Sequence, residues 1–166
     1  MTSITQKFSK LFLGAAIRVV TLALFLVVFG AGAALAQSRA YVTNFVDNTV
    51  SVIDPATNAV VSTIPVGSQP AGIAVTPDRA FAYVVNNGDG TVSVINASTE
   101  TVVTTVPIGA NPVGIAITPN GAFAYVTNFG DGTVSVISTA TNTVTTTIST
   151  GVLALLIDIT PNGGFA

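Results

Sequence analysis

The sequence of 166 residues predicts an all-β fold made of repeated sheets, and two observations lead to this prediction. Its three tyrosines, Tyr41, Tyr83 and Tyr125, each stand 42 residues from the next. The repeats between them are rich in Val and Thr with alternating side chains, a pattern that favours strands and disfavours helices. Three repeats fill residues 41–82, 83–124 and 125–166 without an insertion.

Each repeat predicts four short strands in the same order. In the first repeat they are Tyr-Val-Thr-Asn at 41–44, Thr-Val-Ser-Val-Ile at 49–53, a β-branched segment at 60–64 and Gly-Ile-Ala-Val at 72–75. Turn residues separate them, as in Asn-Gly-Asp-Gly at 87–90, which is typical of a tight hairpin. Four short antiparallel strands in about 40 residues are typical of a β-propeller blade.

These motifs also resemble a known family, the YVTN β-propeller repeat proteins. The matching segments are Tyr-Val-Thr-Asn (41–44, 125–128), Ile-Pro-Val-Gly (64–67) and Pro-x-Gly-Ile-Ala (70–74, 112–116). The resemblance covers residues 41–166 and implies that Gly-Ile-Ala-Val is the innermost strand of each blade. The second repeat departs from it at Val85. The third has Leu156 where the other two have glycine, so a close backbone approach is not expected at Leu156.

Reading the strands in that order predicts an incomplete ring. Three outer strands at 41–66 precede two full blades, at about 70–108 and 112–150, and an inner strand at 155–160 follows before a further hairpin begins at Phe165. Propellers close with four to eight blades. We therefore expect a fragment of a longer protein, for instance one of seven blades, with a six-bladed ring of two chains as the alternative.

Residues 1–36 predict a secretory signal peptide. They carry three basic residues and no acid, then an apolar run at 19–29, then small residues that fit an Ala-x-Ala cleavage site ending at Ala36. Cleavage would export a propeller domain of residues 37–166 to the periplasm, the cell surface or the medium. The alternative is an uncleaved membrane anchor, because residues 19–36 reach the lower limit for a spanning helix.

The composition excludes several kinds of chemistry. The sequence has no histidine and no cysteine, which rules out a His-based triad, a Cys nucleophile, a thiolate or imidazole zinc site and a His-ligated haem in these residues. Five Lys and Arg against seven acids argue against nucleic acid as a partner. We predict no catalytic, cofactor-binding or metal-binding residue, and no enzyme activity.

Two sets of polar residues recur at the period of 42, namely Asp47, Asp89 and Asp131, and Ser51, Ser93 and Ser135. The aspartates could be read as cation ligands, but one carboxylate per turn is too few for calcium. We interpret them as turn-forming residues. No nearby histidine or lysine could activate the serines, so we interpret them as strand residues.

The recurring aromatic residues are interpreted as packing residues. The tyrosines are expected to pack with the hydroxyl at a wet edge, although they could also line a binding surface. Phe81, Phe123 and Phe165 are expected in the core for the same periodic reason. Arg79 and Glu100 break the repeat and are expected at the surface. Asn96-Ala97-Ser98 is the sole N-glycosylation sequon, in a predicted surface turn.

The function predicted is a binding or structural scaffold. The resemblance to surface-layer and cell-envelope YVTN proteins implies an exported, non-enzymatic propeller whose partner is another envelope protein, a glycan or a neighbouring copy. Residues repeated in every blade serve the blade, so function is expected where the blades differ. The alternative is the propeller part of an enzyme, such as a lactonase or a quinone- or haem-associated redox protein.

Overall fold

The computed structural model describes residues 38–151 and 153–162. Within them the chain forms strands and no helix. The strands are β1 (Ala40–Asn44), β2 (Thr49–Asp54), β3 (Ala59–Pro65), β4 (Pro70–Val75), β5 (Phe81–Asn86), β6 (Thr91–Asn96), β7 (Thr101–Pro107), β8 (Pro112–Ile117), β9 (Phe123–Asn128), β10 (Thr133–Ser138) and β11 (Thr143–Ser149).

The strands form three antiparallel sheets in sequence order. Blade 1 contains β1-β2-β3, blade 2 contains β4-β5-β6-β7 and blade 3 contains β8-β9-β10-β11. The predicted all-β architecture of four-stranded blades, with the ring unclosed among the described residues, is confirmed. The predicted signal peptide at 1–36 and the predicted core residue Phe165 lie outside the described residues.

Each blade has a β-bulge at the same place in its outer strand pair. The register shifts after Val52 in blade 1, after Val94 in blade 2 and after Val136 in blade 3. In blade 1 the extra residue is Val61, because Ser62 pairs with Val52 and Val60 pairs with Ile53. A bulge increases the local twist of the outer strands.

The hydrophobic core lies in two seams between adjacent blades. The seam of blades 1 and 2 buries Val50, Val52, Ile64, Ala82, Val84 and Ile95. The seam of blades 2 and 3 buries Tyr83, Val85, Val92, Val94, Val106, Ala124, Val126 and Ile137. Most members of the second set stand 42 residues after members of the first. Each blade is therefore stabilised mainly by burying its Val-rich faces against its neighbours.

The inner strands come close together at glycine. A Cβ atom on Gly72 would lie 2.5 Å from the carbonyl oxygen of Val113 in the next inner strand. A Cβ atom on Gly114 would lie 2.8 Å from the carbonyl oxygen of Leu155. Only a residue without a side chain fits at these two positions.

The predicted inner strand at 155–160 is wrong as a strand, because no strand forms at residues 153–160. The segment nevertheless lies against blade 3, where the Thr127 hydroxyl donates to the carbonyl oxygen of Leu155 at 2.9 Å. In blades 2 and 3 the inner strand pairs with the strand that starts about ten residues later. No strand of the described residues pairs with residues 153–160.

Candidate binding surfaces

The recurring serines belong to a buried hydrogen-bond network. In blade 2 the Nδ2 group of Asn86 donates to Thr91 Oγ1 and to Ser93 Oγ, both at 2.9 Å. Blade 3 repeats these two bonds from Asn128 and blade 1 repeats them from Asn44, at the same distances. The asparagine thus bridges two adjacent strands of each blade. Sequence reasoning missed it, although it recurs at the end of all three Tyr-Val-x-Asn segments.

The aspartates of the hairpin turns hold the loops that enter the blades. Asp89 Oδ2 accepts a hydrogen bond from the backbone N–H of Ser68 at 2.6 Å, and Asp131 Oδ2 accepts the equivalent bond from Ala110. The β1–β2 turn makes a different bond, in which Asn48 Oδ1 accepts from the N–H of Gln69 in the loop that enters blade 2. No group of three or more potential metal ligands occurs in the described part of the chain.

Tyr83 connects blade 2 to blade 3. Tyr83 is buried, and its hydroxyl donates to Asn142 Oδ1 of blade 3 at 2.6 Å. Burial raises the pKa of Tyr83, and Asp78 raises it further. Burial also raises the pKa of the half-buried Tyr41, and the negative charge of Glu100 raises it by a smaller amount, whereas Arg39 lowers it. Glu100 occupies in blade 2 the position that Asn142 occupies in blade 3. The hydroxyl of Tyr83 is therefore bonded inside a seam.

Substituting Tyr83 by phenylalanine is expected to reduce the free energy of unfolding by about 1 kcal/mol, the net contribution of one neutral hydrogen bond. The wild-type protein should also lose stability as the pH rises from 10.0 through the raised pKa of Tyr83, because the folded state holds the phenol neutral. The phenylalanine variant should not show this loss of stability at alkaline pH. Urea denaturation at neutral and at alkaline pH measures both effects. Tyr125→Phe, at the equivalent position of blade 3, is the control, and equal losses in the two variants would contradict the assignment.

A groove opens between the turns of blades 2 and 3. Its volume is about 290 Å³. It is lined by Thr76, Pro77, Asp78, Phe81, Asn120, Gly121, Thr139 and Ala140. They belong to the β4–β5, β8–β9 and β10–β11 turns, except Phe81, which begins β5. The lining combines one aromatic ring with carboxylate, amide and hydroxyl groups, a mixture that suits a small polar ligand or a polar side chain.

The repeats differ at this groove. Gly121 has a φ of 72°, and the equivalent residue in blade 2 is Arg79 with a φ of 62°. The same backbone therefore carries a long cationic side chain in one blade and none in the next. Asp78 Oδ1 accepts from the hydroxyl of Thr76 and from the N–H of Ala80. The hydrogen bond from the Thr76 hydroxyl is the largest of the effects that lower the pKa of Asp78. Asp78 therefore presents a carboxylate to the groove.

The outward faces of blades 1 and 3 are apolar and exposed. Val42 of blade 1 is 46% exposed, whereas its repeat equivalents Val84 and Val126 are fully buried. Ile148 of blade 3 is 45% exposed, whereas its equivalent Val106 is 3% exposed. Phe123 belongs to the same face and is more exposed than the expectation of a core residue allowed. Both faces carry apolar residues of the kind that is buried between blades elsewhere, but no blade of the described residues packs against either face.

The remaining candidate residues lie in turns. The sequon residue Asn96 ends β6, and its Oδ1 accepts from the N–H and the hydroxyl of Ser98, so the predicted turn is present. Arg79 is exposed, as expected, and Glu100 is half-buried. In the portion described, no helix has the length and hydropathy needed to span a membrane.

The geometry defines a β-propeller: successive four-stranded antiparallel blades packed face to face around their inner strands. A family model described as YNCE-like beta-propeller matches residues 17–124. The chain belongs to this YNCE-like β-propeller family, which confirms the predicted repeat-propeller class.

Several solved structures share the fold. Hydrazine synthase of Kuenenia stuttgartiensis is 30% identical over 76% of this chain, with a TM-score of 0.74. AztD of Citrobacter koseri, at 17% identity over 73% of this chain, has a TM-score of 0.62, and the dihydro-heme d1 dehydrogenase NirN, at 20% over 68%, has 0.61. The chain spans 37%, 34% and 24% of these three proteins respectively.

One curated protein matches over a short segment. The PE-PGRS family protein PE_PGRS18 of Mycobacterium tuberculosis (strain ATCC 25618 / H37Rv) is 60% identical over 37 residues. The segment covers 22% of this chain and 8% of that protein. The likeness is therefore confined to about one repeat.

Proposed function

We propose that this protein is an exported, non-enzymatic β-propeller that binds an envelope protein or a glycan and acts as a scaffold at the cell envelope. Export rests on the signal-like residues 1–36, and the absence of catalysis is part of the proposal. The groove between blades 2 and 3 is the proposed binding site.

The groove is the observation that carries the proposal. The polar groups that recur in every blade are engaged in bonds of the framework, as with Ser93 inside blade 2 and Asp89 at its entering loop. Around the groove the repeats differ, with Gly121 in place of Arg79 and Thr139 in place of Ala97. A volume of about 290 Å³ with a carboxylate at its lining suits a polar, uncharged or cationic group better than an anion.

Filling the groove tests the proposal. In Gly121→Arg, blade 3 receives the residue that blade 2 already carries at a similar φ, so the variant should fold. We expect binding to purified cell-wall glycan, or to a defined protein captured from envelope extract, to fall at least tenfold. Thr57→Arg adds the same charge to an exposed turn of blade 1 and should bind as the wild type does. Unchanged binding by Gly121→Arg would reject the groove as the site.

A second candidate is the propeller portion of an enzyme. It is favoured by the 30% identity to hydrazine synthase, although the chain spans 37% of that protein. The test is to supply the purified chain with a panel of lactones and, separately, with haem and a quinone. Hydrolysis of a lactone, or a haem or quinone retained through gel filtration, would favour this candidate over the scaffold.

A further inference from the structure

The β4–β5 and β8–β9 turns that line the groove hold equivalent side chains in the same way. In blade 2, Asp78 Oδ1 accepts from the hydroxyl of Thr76 and from the N–H two residues further along the chain. In blade 3, Asn120 Oδ1 accepts from the hydroxyl of Thr118 and from the N–H two residues further along. Asp78 and Asn120 both line the groove. Each of these side chains is therefore fixed by two hydrogen bonds at one of its two polar atoms.

The other polar atom of each side chain is available to a ligand. Among the described residues, no other residue donates to Asp78 Oδ2 and none accepts from Asn120 Nδ2. The N–H of Ala122 requires an acceptor, which places the amide oxygen of Asn120 at that bond and its NH2 group on the opposite side. The groove thus offers one anionic acceptor and one amide donor. Because both side chains are already held, they lose little freedom when a ligand binds.

Phe81 supplies an apolar surface to the same groove. It begins β5, is half-buried and packs against the core between blades 2 and 3. Gly121 lies against the ring of Pro77, since a Cβ atom on Gly121 would be 3.3 Å from Pro77 Cδ. The two turns are therefore in contact with each other. The groove combines an aromatic ring with two oriented polar groups on turns that are held together.

The charge and the size of the groove favour a small neutral ligand. The only charged residues of the three lining turns are Asp78 and Arg79, which are adjacent in the sequence and opposite in charge. A ligand with a net charge therefore gains little from the turns as a whole. The volume of about 290 Å³ lies at the lower end for a small-molecule site. A stable protein interface buries about 800 Å² on each partner, far more than this groove offers.

We propose that the groove between blades 2 and 3 binds one pyranose unit of a neutral glycan. One sugar hydroxyl donates to Asp78 Oδ2, a neighbouring hydroxyl accepts from Asn120 Nδ2, and the C–H face of the sugar ring packs on Phe81. Hydroxyls both donate and accept, so two adjacent ones satisfy both groups. An ammonium ion would use the carboxylate but leave the amide donor without an acceptor. This inference rests on the proposed function and selects the glycan from the two partners named there.

The ligand class is tested by saturation-transfer NMR on the protein expressed from the full sequence. The probes are the methyl glycosides of glucose, galactose, mannose and N-acetylglucosamine. We expect at least one glycoside to bind, with an affinity that does not change when the salt concentration is raised about tenfold, because no ion pair forms. Butylammonium chloride is the competing probe. Binding of no glycoside, a strong salt dependence, or tighter binding of butylammonium than of any glycoside would overturn the proposal.

Exchanging the residues of the two turns tests the two hydrogen bonds. Asp78→Asn gives blade 2 the residue of blade 3, and Asn120→Asp gives blade 3 the residue of blade 2, so both variants should fold. Each variant exchanges an acceptor and a donor, and the affinity for the glycoside should fall about fivefold or more. Asp47→Asn removes the same charge from the exposed β1–β2 turn and should bind as the wild type does. Unchanged affinity in both exchange variants would overturn the proposal.

Replacing the aromatic ring tests the packing contact. Phe81→Leu keeps an apolar side chain against the core and should lower the affinity for the glycoside about threefold or more. Phe123→Leu makes the same change at the equivalent position of blade 3, outside the lining of this groove, and should leave the affinity unchanged. Equal affinities in these two variants would contradict the contact with Phe81.

Gly121→Arg separates a failure of this inference from a failure of the proposed function. A wild-type protein that binds no glycoside, but captures a defined envelope protein that Gly121→Arg does not capture, would show that the groove is a site and that the sugar is wrong. Glycoside binding that persists unchanged in Gly121→Arg would show that the groove is not the site, and both proposals would fall. We expect glycoside binding in the wild type and its loss in Gly121→Arg.

Discussion

Gly72→Ala is expected to reduce the free energy of unfolding by about 3 kcal/mol, the upper range for overpacking a well-packed site. The added Cβ atom would meet the carbonyl oxygen of Val113 at 2.5 Å and side-chain and backbone atoms of Ile115 at 3.4 Å. Relief requires the inner strands of blades 2 and 3 to separate, which would loosen the whole seam. Urea denaturation followed by far-ultraviolet circular dichroism measures the loss.

Gly130→Ala is the control for this prediction. The atoms nearest to its added Cβ atom would be the Nδ2 atom of Asn111 and two atoms of Ala110, at 3.0–3.1 Å, which is less severe than the 2.5 Å contact at Gly72. We expect a loss below about 1 kcal/mol, as for most surface substitutions. Similar midpoints for the two variants would show that the inner strands do not approach at Gly72 as closely as described.

Asn86→Ala is expected to reduce the free energy of unfolding by about 2 kcal/mol, because it removes two buried hydrogen bonds. Thr91 Oγ1 and Ser93 Oγ both lose their donor. The Oδ1 atom of Asn86 is buried and accepts no hydrogen bond from the described residues, and its removal offsets part of the loss. The same denaturation experiment measures the effect.

Asn44→Ala provides the comparison, since Asn44 makes the same two bonds at the same distances in blade 1. Asn44 is only half-buried, so water can replace its amide there. We expect about half the loss or less, in line with the smaller desolvation of a partly exposed group. A loss at Asn44 as large as that at Asn86 would mean that burial does not set the contribution of this network.

The strand order and the blades were predictable because they depend on local pattern. The period of 42, the alternation in Thr-Val-Ser-Val-Ile and the turn glycines are all properties of short segments. Gly72 and Gly114 were also predictable as points of close backbone approach. The third repeat has Leu156 at the equivalent position, which shows that the strand pattern alone does not require glycine there.

The groove between blades 2 and 3 is formed by turns that are distant in the sequence, so it was not predicted from the sequence. The groove joins three turns, and Thr76 and Thr139 at its two ends are some 60 residues apart in the sequence. The residues at which the repeats differ there form no recognisable motif within any one turn. The role of Asn86 was hidden for another reason: its partners are a threonine and a serine that read as ordinary strand residues. The expected strand at 155–160 failed because strand formation requires a partner, which periodicity cannot supply.

The repeat of the sequence and the blade of the fold are out of phase by one strand. A repeat such as 83–124 holds three strands of blade 2 and the inner strand of blade 3. No repeat can therefore form a blade alone, and every blade is tied covalently to the one before it. A gene duplication or deletion of one period leaves each sheet complete and each seam unchanged. Such a chain can change its number of blades in evolution without having to invent a new interface.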